Sequence, residues 1–203
     1  ALEARSHSST SAQPGRRRLP YMAKVKPQDM KPQVYKDPRP AEYFTRFHEK
    51  GRQGIGFMYD LVRVILSVPT IVLFRCRAIG VENVPEHGPV IITPNHFSQM
   101  DHFLAAVYLR RKVQFMAKSQ LFGNPFLNWV FYHGGVFPVR RGYNDEEAFT
   151  TAHSVLDREG ALMMYAEGGR SRTGDLGEPK RGVGKIALES GAPPHVGLAI
   201  GLD

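Results

Sequence analysis

The chain has 203 residues, 42% of them hydrophobic, and a formal charge of +8, which is enough for one domain with a sizeable core and short for two. Its single cysteine, Cys76, excludes a disulfide framework and a tetrahedral thiolate zinc site, and suits a reducing compartment. The charge is uneven: residues 1–53 hold 12 Lys or Arg against 5 Asp or Glu, a balance of +7, so everything after them contributes only +1.

Residues 1–40 read as a disordered basic arm. They are Ser/Thr-rich from Ser6 to Ser11, carry the run Arg16-Arg17-Arg18, and then meet prolines at 20, 27, 32, 38 and 40. Met22 is a candidate native start. Such an arm can hold nucleic acid or an anionic membrane surface. It lacks interleaved aromatics and the rest of the chain is nearly neutral, so no specific nucleic-acid partner is expected. Residues 41–75 read as a helical, membrane-associating segment. A short polar helix over Ala41–Gln53 feeds an apolar one over Gly54–Phe74, whose Asp60, Arg63 and Ser67 form a polar stripe and whose Pro69 interrupts it. The length would suffice to span a bilayer, but each mid-helix charge costs roughly 2.5–3.5 kcal/mol to insert. An amphipathic helix lying in the interface, beside a basic arm among anionic head groups, fits better than a spanning or a core helix.

From Arg75 onward short apolar runs alternate with helical patterns, which predicts an α/β fold: a mostly parallel sheet flanked by helices. Strands are expected at Arg77–Ile79, Val90–Thr93, Val113–Met116, Gly135–Pro138, Ala161–Tyr165 and Val196–Ile200. Helices are expected at Ser98–Arg110, Pro125–Tyr132, Asp145–Asp157 and Lys180–Glu189.

The stretch that carries chemistry runs from Pro89 to His102. Four β-branched residues, Val90 to Thr93, lie between Pro89 and Pro94, and Asn95 or Ser98 then caps the helix that follows. Within a regular helix, His96 and Asp101 would point roughly 140° apart. With His96 in the turn before the helix, its ring folds back so that Asp101 accepts a hydrogen bond from one ring nitrogen, and the other is left as a base. This pair is the catalytic candidate. His102 reads as helix surface, and a metal held by His96, Asp101 and His102 is disfavoured because one helical turn closes poorly round a tetrahedral ion.

Three further stretches accompany it: Gly134-Gly135-Val136-Phe137-Pro138-Val139-Arg140, Tyr165-Ala166-Glu167-Gly168-Gly169-Arg170-Ser171, and Gly191-Ala192-Pro193. With Asn95, His96, Ser98 and Asp101 in the first, their order and separation over about Phe74 to Ala192 resemble the four motif blocks of the glycerolipid acyltransferases. That is the family of 1-acylglycerol-3-phosphate and glycerol-3-phosphate O-acyltransferases.

The resemblance implies that His96 is a general base oriented by Asp101, and that Arg140 binds the acceptor phosphate. Lys118 resembles the family's lysine between the first two blocks and serves the same anion, for which Arg is the better-shaped fork. Glu167, Gly168, Gly169, Arg170 and Ser171 complete the acceptor site. Glu167 either binds the glycerol portion or holds a neighbouring Arg, and Arg170 is a second anion contact. Amides at the following helix N-terminus are candidates for oxyanion stabilisation, and Phe97, Met100, Phe103 or Phe122 for lining an acyl tunnel. No metal or bound cofactor is implied. The donor is an acyl thioester of coenzyme A or acyl carrier protein, the acceptor a lysophospholipid such as 1-acylglycerol-3-phosphate, and the place the cytoplasmic face of a membrane. Glycerol-3-phosphate or another lysolipid is the alternative acceptor, and a non-catalytic, peripheral lipid-binding protein the alternative function. Residues 76–203 are then the acyltransferase domain. After Pro193 the chain departs from the fourth block and stops at Asp203, which reads as a truncated or altered C-terminus.

Overall fold

Short β-branched and apolar runs in this chain stack side by side as a parallel sheet, because each is followed by enough residues for a helical return. The computed structural model describes residues 36–171, 175–195 and 199–201. Strands β2 (Val90–Ile92), β3 (Val113–Lys118), β4 (Phe137–Val139), β5 (Ala161–Met163) and β6 (Pro194–His195) form one sheet in the order β4-β3-β5-β2-β6. All neighbours in it are parallel. Strand β1 (Arg77–Ile79) pairs antiparallel with β7 (Ala199–Gly201).

Side chains alternate across the sheet, and both faces are buried. Val90, Ile92, Ala161 and Met163 pack with Tyr59 of α2 (Phe57–Val68) and with Ala105, Ala106 and Leu109 in and after α3 (Asp101–Tyr108). Ile91 and Leu162 face the other way, against Ala152, Val155 and Leu156 of α5 (Glu146–Asp157) and Ile186 of α6 (Arg181–Ser190). Helices α1 (Thr45–Gln53) and α4 (Pro125–Gly134) close one end, where Phe44, Phe47 and Phe122 form a fully buried aromatic cluster.

Residues 1–35 of the expected arm lie outside the described residues. Lys36–Pro40 form a strap: buried Asp37 pairs with Arg39 at 2.7 Å, and Arg39 donates to the carbonyls of Phe122 and Ser119.

The expected helix over Gly54–Phe74 starts at Phe57, after a break from α1 at residues 54–56, and changes to a π turn at the Pro69 expected to interrupt it. Gly54 ends α1 with φ +112°, and the π-helical turn covers Pro69–Leu73. The break is a backbone-to-backbone contact. A Cβ at Gly56 would fall on the carbonyl of His133, and one at Gly135, itself at φ +77°, on the carbonyl of Gly54. That left-handed glycine is also the C-cap of α4, so β4 starts at Phe137 rather than at Gly135. The last expected strand, Val196–Ile200, is described only in part. Residues 196–198 lie outside the described residues, 199–201 form β7, and a two-residue β6 precedes them.

Candidate functional site

His96 leaves the C-terminal end of β2 in an irregular turn, and α3 starts at Asp101 rather than at the expected Ser98. Asp101 thus occupies the first helical position and reaches back over the turn. Its Oδ2 accepts from His96 Nδ1 at 2.8 Å and from the backbone N–H groups of Phe97 and Ser98, each at 2.9 Å. Burial works to raise the Asp101 pKa, but the hydrogen bonds from His96, Ser98 and Phe97 outweigh it, and the carboxyl titrates below its ordinary value. It is therefore an anion at neutral pH, and it holds the proton of His96 on Nδ1. Nε2 has no hydrogen-bond partner among the described residues, as a proton acceptor requires. The backbone N–H groups of Phe97 and Ser98, in the turn before α3, are thus both engaged by this carboxylate.

Above this pair lies a polar cavity of about 530 Å³, walled by His96, Lys118, Arg141, Tyr165, Gly169, Arg170 and Ser171 among others. Strand order explains the gathering. The neighbours β4, β3, β5 and β2 run parallel, so the segments leaving their C-terminal ends meet along one edge, where open α/β sheets hold ligands. The edge is stitched together as well: the N–H of Ser171 donates to the carbonyl of His96 at 2.7 Å. A second cavity, about 310 Å³ and almost wholly apolar, opens beside it between α2, α3 and α4. The two share the wall residues Gln99, His102, Ala117 and Leu121.

Of the acceptor-site candidates, Lys118, Gly169, Arg170 and Ser171 line the polar cavity. Arg140 does not: its N–H donates to the Asp145 carboxylate and its guanidinium lies 4.3 Å over the ring of Tyr143. The neighbouring Arg141 lines the cavity instead, because successive residues leaving a strand point to opposite sides. Burial pushes down the pKa of both Lys118 and Arg141. The charges of Arg141 and Arg170 push Lys118 further, so the three cations share one space.

Glu167 lies against Gly177 and is not in the cavity wall. Gly168 turns the chain at φ +65°, donates its N–H to the Tyr165 carbonyl and lets the Lys180 side chain pass over its bare face. Among the tunnel candidates, Phe103 lines the apolar cavity and Phe97 the polar one. Phe122 is in the aromatic core and Met100 is on the surface.

Three residues of the site escape sequence reasoning: Arg141, Tyr165 and His102. His102 is no surface residue. It lines both cavities and packs edge-on against His96 at 5.3 Å and Tyr165 at 5.0 Å. Tyr165 stacks on His96 with centroids 3.8 Å apart and planes 17° from parallel. Its place just beyond the buried run Ala161–Met164 was the available signal, since β5 neighbours β2.

A family model described as "Acyltransferase" matches residues 75–199. The chain is 24% identical over 153 residues to a chloroplastic 1-acyl-sn-glycerol-3-phosphate acyltransferase of Brassica napus, covering 74% of this chain and 42% of that protein. It is 34% identical over 114 residues to the 1-acyl-sn-glycerol-3-phosphate acyltransferase of Borreliella burgdorferi, covering 55% and 46%. Among solved structures, the 1-acyl-sn-glycerophosphate acyltransferase PlsC of Thermotoga maritima matches with a TM-score of 0.49 and 28% identity, over 57% of this chain and 46% of that one. The chain thus spans less than half the length of these relatives. With the matched region running unbroken from β1 into β7 and taking in His96, Asp101 and every cation of the polar cavity, the chain belongs to the acyltransferase family.

Proposed function

We propose that this chain transfers a fatty acyl group from a thioester of coenzyme A or acyl carrier protein to the free hydroxyl of 1-acylglycerol-3-phosphate. Nε2 of His96 removes the hydroxyl proton as the oxygen attacks the thioester carbonyl; the tetrahedral adduct collapses with cleavage of the C–S bond, and the imidazolium gives its proton to the departing thiolate. Asp101 fixes the tautomer and stabilises the imidazolium. The observation that carries this reading is the meeting of a base, three cations and an apolar cavity. Lys118, Arg141 and Arg170 suit a phosphate, with Arg141 taking the part assigned to Arg140 from sequence. The apolar cavity joins the polar one beside His102 and suits an acyl chain, whose carbonyl then lies near His96.

The same reading places the protein at a membrane surface. Phe57, Leu61, Val64, Ile65 and Val68 fall on one face of α2, and every one is exposed. The polar stripe opposite is engaged by the protein: Lys112 pairs with Asp60 at 2.6 Å and Arg63 donates to the Leu109 carbonyl. A contiguous exposed apolar face with polar groups beside it is a mark of a docking surface, and it suits the interface of an anionic bilayer. Among the described residues no single helix is long and apolar enough to cross a membrane; the segments Ala41–Gln53 and Phe57–Leu73 have that length and composition only when taken together, and they meet at an 81° bend. The unpaired Cys76 suits the cytoplasmic face.

The test is acyl release from a thioester in the presence of lysophosphatidate and anionic vesicles. His96→Ala is expected to lose about 10²- to 10⁴-fold in kcat, the range for a positioned general base, with its circular dichroism unchanged. A folded variant that turns over like the parent overturns the proposal.

A further inference from the structure

Asp101 alone leaves the base underdetermined. One hydrogen bond at Nδ1 pins an edge of the imidazole but lets the ring swing about that bond, since the second side-chain torsion of histidine is broad. A flat neighbour removes this freedom. Tyr165 lies face-on to His96, 3.8 Å away at 17°, and His102 wedges edge-on against both rings, backed by Phe115 at 5.8 Å. The partners arrive from different elements, Asp101 and His102 from α3 and Tyr165 from the loop after β5, so the imidazole is held from two directions.

We propose that Tyr165 is a positioning residue for His96, its ring fixing the plane of the imidazole through which the hydroxyl proton moves. The inference rests on His96 being the base. The π face has a second use: the imidazolium formed midway through transfer gains a cation–π contact at 3.8 Å, well inside the usual range of about 6 Å.

The hydroxyl of Tyr165 separates this role from a hydrogen-bonding one. It is buried without a hydrogen-bond partner among the described residues, and burial, with the nearby charge of Asp101, raises its pKa and keeps it a phenol. An unsatisfied buried hydroxyl adds nothing to stability. The aromatic face is therefore the working part, and phenylalanine should replace tyrosine where leucine should not.

The experiment uses the full chain with anionic vesicles and lysophosphatidate, comparing the parent with Tyr165→Leu, Tyr165→Phe and His96→Ala in steady-state kinetics, and reading the His96 ring protons by NMR. Tyr165→Leu is expected to lower kcat by about 10- to 100-fold, as a small misplacement of a catalytic group does, with the acceptor KM within about twofold. Tyr165→Phe should restore most of kcat. The His96 ring protons should be displaced upfield by ring current in the parent and in Tyr165→Phe, and return to ordinary positions in Tyr165→Leu.

A folded Tyr165→Leu with the parent's kcat, or a Phe variant as slow as the Leu one, overturns the inference. So do ring protons at ordinary positions in the parent, a result that stands even where the Leu variant fails to fold. The two readings fail separately: His96→Ala with parental turnover removes the base itself, whereas loss in His96→Ala with none in Tyr165→Leu removes only the clamp.

Discussion

Two buried histidines in this protein are held in different ways. His96 keeps Nε2 open to a cavity, whereas His48 of α1 is 1% exposed and bonded through Nδ1 to the Thr151 hydroxyl at 3.0 Å. Burial lowers the His48 pKa to about 4, with the Asp145 charge opposing the shift and that of Arg52 adding to it. Because the unfolded chain takes up this proton near 6.5 and the folded one only near 4, His48 is neutral in the native state at pH 7. Stability therefore falls as pH drops from about 6.5 to 4, by about 3 kcal/mol, and is level above that window. Urea midpoints between pH 7 and 4.5 should show this slope in the parent and lose most of it in His48→Gln; a flat parental profile refutes it. Nothing in the sequence marked His48, since its burial depends on α1 lying across α5. His96 and Asp101 were legible because their relation is local: five residues, one turn, one helix start.

The α1–α2 corner shows how an element is shaped by its neighbour. Apolar periodicity begins at Gly54 and runs to Phe74, so the sequence itself puts a helix boundary after Gln53. The chain breaks there because α4 approaches within backbone contact of Gly54 and Gly56. Gly56→Ala should cost about 2–3 kcal/mol, the penalty for forcing atoms into a filled space, and at the N-cap of α2 alanine is also the poorer residue. A chemical-denaturation midpoint equal to the parent's would show that the corner yields freely. The amphipathic pattern of α2 was readable from spacing, but its orientation was not. Asp60 and Arg63 find partners at Lys112 and Leu109, 52 and 46 residues away, and this leaves the apolar side facing outward.

At the scale of the whole molecule, that outward face and the charge distribution act together. Replacing Val64 and Ile65 with Asp removes two exposed apolar side chains from the proposed bilayer contact and adds repulsion from anionic lipid. Each buried aliphatic side chain is worth about 1.5–3 kcal/mol, so affinity for anionic vesicles should fall at least about tenfold in a flotation assay. The thermal unfolding of the protein alone should be unchanged, because both residues are 59% or more exposed. Equal flotation of parent and variant removes α2 as the docking face. Raising salt should weaken parental binding as well, since the basic segment contributes through screened charge.

The sequence by itself determined the alternation of strands and helices, the parallel α/β class, the His96–Asp101 pair and the motif order that marks the family. These follow from periodicity, turn residues and contacts within a few positions of the chain. The tertiary structure alone decided that Arg141 rather than Arg140 enters the cavity, that Tyr165 and His102 pack on the base, and that the polar and apolar cavities meet beside it. Each of those depends on which strands lie side by side. In the order β4-β3-β5-β2-β6 no neighbours on the site edge except β3 and β4 are consecutive in sequence. A linear pattern records which way a side chain leaves its own strand, but not whose side chain waits there.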